Sequence, residues 1–148
     1  FLMGHSAGAE IAGLLATDRR YLAGAGSSIR RLAGLVGLSG PYDFLPLTDE
    51  RYKRIFPEPV RQASQPVNFV SGDEPPTLLI AGDADTTVDP KNTRSLAARL
   101  KAAGVPVKDS LYPGIGHIGT ISSFSTVLPL GNRGIREEVI RFIRENAR

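Results

Sequence analysis

The sequence predicts an α/β fold with about four parallel strands and helices flanking the sheet. Residues 32–39 and 77–81 are nearly continuous apolar runs, a pattern typical of strands buried on both faces of a parallel sheet. Helical segments separate the predicted strands in the order β-α-β-(insert)-β-α-β-α, which favours right-handed crossover connections. The 148 residues are enough for one domain with a hydrophobic core.

The remaining elements follow from local patterns. They are a strand at 1–4, a helix at 7–17, a helix at 90–103, a strand at 105–112 and an amphipathic helix at 134–147. Apolar residues at positions i, i+3 and i+4 predict the first of these helices. In the second, Asp89 is expected to be the N-cap and Pro90 the first helical residue. The strand at 105–112 alternates apolar and polar residues, which predicts a position near a sheet edge.

Residues 41–73 are an insert that contains no predicted strand. Several prolines interrupt it, and short helices are expected near 51–56 and 60–64. A connection of this length is usually functional, so we expect a cap-like insert beside the site. The chain also begins inside the strand at 1–4. We therefore expect residues 1–148 to be the C-terminal part of a single domain, with an N-terminal half of the same fold as its partner.

Composition and charge narrow the class of ligand. The net charge of +3 comes mainly from arginines scattered along the chain, not clustered in a stripe with aromatics, so no nucleic-acid binding is expected. No apolar run reaches the ~20 residues that a membrane helix needs, so no membrane partner is expected. The chain has no cysteine, which excludes disulfides and thiolate chemistry. A small molecule is the expected partner.

The segment Gly4-His5-Ser6-Ala7-Gly8 matches the pattern G-x-S-x-G, with a predicted strand before it and a predicted helix after it. In such a turn the serine adopts a strained backbone conformation, and glycines two residues to either side avoid clashes. Ser6 is therefore the candidate nucleophile. The N–H of Ala7, at the start of the helix, is the candidate oxyanion donor.

A serine hydroxyl needs an adjacent base, and the chain has two histidines. The side chain of His5 is expected to point away from its neighbour Ser6 and to serve in packing. His117 lies in a glycine-rich segment after the strand at 105–112, at the end of the sheet where α/β proteins bind ligands. His117 is therefore the candidate base.

A carboxylate must orient the base. Asp83 and Asp85 both follow the strand at 77–81, and the chain order Ser, Asp, His is the one typical of this fold. The residues alone leave the choice between the two aspartates open.

Residues 79–90, with the sequence LIAGDADTTVDP, resemble the acid loop of α/β-hydrolase carboxylesterases, commonly G-x-x-D-x-x-V-P. The resemblance implies that Asp85, three residues after the glycine, is the acid and that Asp83 shapes the turn. The usual histidine before the glycine is Ala81 here, and the usual proline after the valine is displaced by Asp89.

Further segments carry the same resemblance over nearly the whole chain. The elbow around Ser6, residues 37–43 (GLSGPYD) and residues 63–70 are similar to those of the bacterial carboxylesterase and kynurenine-formamidase-like branch, although Gln65 interrupts the last motif. Serine peptidases of the prolyl-oligopeptidase type usually carry a bulky aromatic at the position of His5. The resemblance therefore implies the C-terminal half of an α/β-hydrolase fold.

The activity implied by the resemblance is hydrolysis of a small-molecule ester or aryl formamide through Ser6, Asp85 and His117, without a metal or organic cofactor. Apolar residues of 41–73 and 118–130, including Phe124, Val127 and Leu128, are expected to line the acyl pocket or to serve in ordinary packing. The H-G-G loop that gives such enzymes a second oxyanion donor does not occur in this sequence.

Two alternatives stay open. One is a serine peptidase of the same fold, and the other is a binding module that retains the fold without the chemistry. A homodimer is a further candidate assembly.

Overall fold

The computed structural model describes residues 1–127 and 131–147. Its centre is a four-stranded sheet in the order β1-β2-β3-β4, with β1 at Leu2–His5, β2 at Leu35–Leu38, β3 at Thr77–Gly82 and β4 at Val107–Tyr112. Each pair of neighbours is parallel. The structure confirms the predicted α/β fold with about four parallel strands and flanking helices.

Burial of the strands follows their sequence patterns. All residues of β2 and β3 are buried, as their continuous apolar runs predict. Strand β4 pairs only with β3, and its residues are exposed or half-buried, in agreement with its alternating pattern. Strand β2 starts three residues later than predicted because Leu32 ends a short 3-10 helix, Ile29–Arg31.

Seven α-helices occur in the described part of the chain. They are α1 at Ala7–Thr17, α2 at Arg19–Gly24, α3 at Glu50–Ile55, α4 at Glu58–Arg61, α5 at Lys91–Ala102, α6 at His117–Ser122 and α7 at Arg133–Asn146. Helix α5 differs from the prediction at its start, because Pro90 is the N-cap. Asp89 Oδ1 nevertheless accepts a hydrogen bond from Lys91 N at 2.8 Å. Helices α2 and α6 do not follow from the sequence pattern.

Hydrophobic residues cover both faces of the sheet because successive strand residues point to opposite sides. On one face Leu79 packs with Ala9 of α1 and with Leu96 and Leu100 of α5. On the other face α7 contributes buried residues to a cluster formed by Val36, Leu38, Leu78, Ile80, Ile135 and Val139. The sheet is therefore a layer between helices, and its strand ends are left free to carry a site.

Two buried amide side chains fix the first residues of 41–73: Asn92 joins them to α5, and Gln65 joins them to a later part of the same segment. Asn92 Oδ1 accepts hydrogen bonds from Tyr42 N at 3.0 Å and Asp43 N at 2.7 Å. Gln65 Oε1 accepts a hydrogen bond from Phe44 N at 2.8 Å. The predicted short helices of this segment occur as α3, α4 and the 3-10 helix Gln62–Ser64. Within the described residues, no helix has the length and apolar character needed to cross a membrane.

Candidate active site

Ser6 lies between the end of β1 and the start of α1, with a φ of 55° and a ψ of −124°. A positive φ is strained for a residue with a side chain and is typical of functional turns. A Cβ at Gly4 would lie 2.1 Å from Gly8 O, so glycine is required there. The sequence also predicts that a side chain at Gly8 would clash. That prediction is wrong for the described residues, because a Cβ at Gly8 would meet no atom within 4 Å.

The structure brings Ser6, His117 and Asp85 together in one line of hydrogen bonds. His117 Nε2 lies 2.9 Å from Ser6 Oγ, and His117 Nδ1 lies 2.8 Å from Asp85 Oδ2. Because an ionised carboxylate only accepts hydrogen bonds, the proton of the neutral ring is on Nδ1. Nε2 is then left to accept the hydroxyl proton of Ser6.

Asp85 is fixed from three directions. Its Oδ1 accepts hydrogen bonds from Thr87 N and Val88 N, each at 2.9 Å, while Oδ2 faces His117. Burial disfavours the charge, but the bonds from Val88, His117 and Thr87 outweigh it and lower the pKa of Asp85. The carboxylate therefore remains ionised where it faces the imidazole.

Asp83 has a different environment. It is exposed, and its Oδ1 accepts a hydrogen bond from Gly114 N at 2.7 Å. The carbonyl of Ile115 also accepts from Ala84 N at 3.2 Å, and it lies so close to Gly82 that a Cβ there would be 1.8 Å away. These contacts join the loop before His117 to the loop that carries Asp85.

The glycine-rich segment around His117 predicts a loop. In the structure His117 is instead the first residue of α6. Its main-chain oxygen accepts hydrogen bonds from Thr120 Oγ1 and from His5 Nε2, each at 3.0 Å. Thr120 Oγ1 also lies 3.1 Å from Ser39 Oγ. The sequence offered no indication of the contacts of His5 and Ser39, because each joins residues far apart along the chain.

Ala7 is the first residue of α1, so its N–H has no acceptor within the helix. Ala7 and Ser6 line the same cavity of about 480 Å³. Segment 41–73 supplies much of the remaining wall, including Pro41, Phe44, Pro46, Leu47, Tyr52, Ile55 and Phe56. Ala7 therefore lies beside Ser6 at the wall of this cavity.

The segment after His117 does not line this cavity in the described residues. Phe124 packs instead against the core cluster that contains Ile135, and Val127 is exposed. Of the two roles expected for these residues, lining the acyl pocket or ordinary packing, Phe124 has the second and Val127 has neither in the described residues. Leu128 lies outside the described residues. Glu10, which no sequence motif singles out, lines the cavity beside Ser6.

The described residues form no evident metal site. Across residues 1–127 and 131–147, no group of three histidine or acidic side chains is placed to hold a metal ion.

Residues 1–127 match the prolyl oligopeptidase family, and the chain belongs to that family. The fold and the family place it among the α/β hydrolases, as the resemblance implied. The match holds despite His5 at the position where peptidases of this type usually carry an aromatic. A comparison with curated proteins finds no match.

Solved structures with this fold include several esterases. One is an acetyl ester-xyloside bifunctional hydrolase from Caldicellulosiruptor lactoaceticus, with a TM-score of 0.74 and 21% identity over 97% of this chain and 55% of that one. Another is a truncated carbohydrate esterase from gut microbiota, with a TM-score of 0.71 and 18% identity over 99% and 59% of the two chains. A third is esterase 2 of Thermogutta terrifontis phosphonylated by sarin, with a TM-score of 0.73 and 19% identity over 98% and 56%. The chain thus spans little more than half the length of these structures, and at these identities the likeness concerns the fold.

Proposed function

We propose that the full chain is a serine hydrolase that cleaves a carboxylic ester through an acyl-enzyme. The observation that carries this proposal is the line of hydrogen bonds from Ser6 Oγ through His117 to Asp85, at 2.9 Å and 2.8 Å. The strained backbone of Ser6 and the ionised state of Asp85 support it, because both are typical of a nucleophile and its orienting acid.

In the proposed reaction Ser6 Oγ attacks the ester carbonyl while its proton passes to His117 Nε2. The Ala7 N–H donates to the developing oxyanion. The alcohol leaves with the proton from His117, and Ser6 is left acylated. Water then attacks the acyl carbon and gives a proton to His117, so that the acid is released and the Ser6 hydroxyl is restored. Asp85 stabilises the imidazolium and keeps the ring in the required orientation.

Two substrate classes have specific support. The motifs shared with the kynurenine-formamidase-like branch favour an ester or an aryl formamide. The match to the prolyl oligopeptidase family favours a peptide as the second candidate. The same acyl-transfer chemistry serves both classes, so the difference lies in what the cavity and the rest of the chain bind.

The proposal is tested with a fluorophosphonate probe on the full chain, since one structural neighbour was solved phosphonylated by sarin. We expect the probe to label Ser6, and Ser6→Ala to abolish both labelling and hydrolysis of p-nitrophenyl acetate. Ser71 is exposed, and Ser71→Ala is the control that should leave both intact. Labelling at Ser39 or Ser71 would refute the assignment of the nucleophile.

The substrate class is decided by comparing kcat/KM for p-nitrophenyl acetate, an aryl formamide and a dipeptidyl p-nitroanilide. A higher value for the anilide would establish the peptidase. No turnover and no labelling of a folded full chain would favour a binding module that retains the fold.

A further inference from the structure

Glu10 is a buried acidic residue beside the candidate nucleophile, and its carboxyl group has no partner among the described residues. It is the fourth residue of α1 and only 7% exposed. No described residue forms a hydrogen bond or ion pair with its side chain. Both Glu10 and Ser6 line the cavity. Burying a carboxylate without a partner costs free energy, so the position calls for an explanation.

The charges of the cavity wall are predominantly negative. Asp49, Asp89 and Lys91 are its other charged side chains among the described residues. One oxygen of each aspartate accepts a main-chain N–H at the start of a helix: Asp49 Oδ1 accepts from Arg51 N at 2.7 Å, and Asp89 Oδ1 accepts from Lys91 N at 2.8 Å. Their second oxygens have no hydrogen-bond partner in the described chain. With all of these groups ionised, the lining of the cavity carries three carboxylates and one ammonium group.

We propose that Glu10, together with Asp49 and Asp89, binds a positively charged group of the substrate, so that the cavity selects esters that carry an ammonium group. The inference rests on the proposed function, because it takes Ser6 as the residue that attacks the bound ester. An ammonium group supplies the charge and the N–H donors that Glu10 lacks within the protein.

The charge of Glu10 should depend on pH in the neutral range. Burial raises the pKa of Glu10 to about 7. The titratable groups around the same cavity are Asp49, Tyr52, Asp89 and Lys91, with His117 hydrogen-bonded to Ser6. Selectivity for a cation should therefore increase from pH 6 to pH 8, as Glu10 becomes ionised.

The test uses pairs of esters that have the same shape and differ in charge. On the acyl side they are p-nitrophenyl 6-aminohexanoate and p-nitrophenyl heptanoate. On the alcohol side they are 6-aminohexyl acetate and heptyl acetate. For each pair we measure the ratio of kcat/KM for the charged ester to that for the neutral one. An effect of pH on the activation of Ser6 is common to both members of a pair and cancels in this ratio.

We expect a ratio of at least about tenfold at pH 8 for one of the two pairs, equivalent to ~1.4 kcal/mol, and a smaller ratio at pH 6. The pair that discriminates identifies the side of the ester that carries the charge. In Glu10→Gln the ratio should fall towards one. Glu145 is exposed on α7 and does not line the cavity, so Glu145→Gln is the matched control and should keep the ratio.

Ratios near one for both pairs at pH 8, in an enzyme that hydrolyses the neutral esters and is labelled at Ser6, would overturn the inference and leave the proposed function standing. If Glu10→Gln does not fold, the inference is tested by the pH dependence of the ratio in the unmodified chain. A ratio that stays constant from pH 6 to pH 8 would overturn the inference. If no ester is hydrolysed and Ser6 is not labelled, the proposed function fails and this inference fails with it.

Discussion

The side chain of His5 is hydrogen-bonded to the main chain of His117, with Nε2 lying 3.0 Å from the carbonyl oxygen. A carbonyl oxygen only accepts hydrogen bonds, so His5 Nε2 carries a proton and donates it. The two rings also pack together, with centroids 4.8 Å apart. The residue before the candidate nucleophile thus holds the backbone that carries the candidate base. We infer that His5 is a positioning residue.

Replacing His5 tests this role. His5→Phe keeps an aromatic ring but removes the donor, so the imidazole of His117 loses one of its constraints. We expect kcat of the full chain for p-nitrophenyl acetate to fall by ~10-fold to ~100-fold, as small misplacements of catalytic groups typically do, with little change in KM. His5→Gln, whose amide can donate to the same carbonyl, should recover part of the loss. Equal kcat values for His5→Phe and the unmodified chain would show that packing alone is needed.

The two aspartates of the acid loop should respond differently to loss of charge. In Asp85→Asn the amide can donate to His117 Nδ1, which favours the wrong tautomer of the ring. A comparable change in a serine protease lowers kcat by about 10⁴-fold, and a loss of that order is expected here. Asp83→Asn keeps an oxygen that can accept from Gly114 N, so its kcat should change little.

Measurements of kcat and of thermal unfolding for both variants decide the assignment of the acid. If Asp83→Asn proves the more damaging to kcat while its melting temperature is unchanged, Asp85 is not the acid.

Strands β2 and β3 and helices α1 and α7 could be predicted from the sequence because their patterns are local. Helix α6 could not, since its residues, HIGTIS, give no apolar stripe. The contact of Thr120 with Ser39 also depends on a residue 81 positions away in the sequence. The sequence singled out Ser6 and His117 as candidates because their positions relative to strand ends are local properties as well.

The wall of the cavity was less predictable. Phe124 is as hydrophobic as Phe44, yet Phe124 packs into the core and Phe44 lines the cavity. Hydrophobicity alone does not distinguish these two environments, because both bury the ring. Glu10 was missed for a related reason: an acidic residue near the start of a helix is ordinary in sequence, and only the fold shows that no partner reaches it.

The close approach at Gly4 gives a stability prediction. A Cβ at this position would lie 2.1 Å from Gly8 O and 2.3 Å from Gly8 C, and main-chain atoms cannot rotate away as a side chain does. Gly4→Ala should therefore lower the free energy of unfolding by at least ~2 kcal/mol and weaken labelling of Ser6 by the probe. Gly24 ends α2, and a Cβ there would meet no atom within 4 Å.

Gly24→Ala is therefore the matched control, and it should leave the urea midpoint unchanged or slightly raised because alanine favours helix. Equal midpoints for Gly4→Ala and Gly24→Ala would contradict the proposed requirement for glycine at the elbow.

The raised pKa of Glu10 also predicts how stability depends on pH. The carboxyl has an ordinary pKa of 4.5 when unfolded and a pKa of about 7 when folded. Between these values the folded chain binds more protons than the unfolded one, so Glu10 makes stability fall as pH rises. Its favourable contribution is fully present below pH 4.5 and is lost as pH rises through about 7.

Glu10→Gln removes this titration and should gain in stability over the unmodified chain as pH rises from 5 to 8, by at most ~1.4 kcal/mol per pH unit. The measurement is the free energy of unfolding of the full chain in urea at each pH, taken as the difference between Glu10→Gln and the unmodified chain. Contributions of groups common to both chains cancel in that difference. Glu145→Gln removes an exposed carboxyl and should show no such trend.

A difference that stays constant from pH 5 to pH 8 would mean that the folded chain provides Glu10 with a partner that keeps it ionised throughout, and the cation site would then already be occupied by the protein itself.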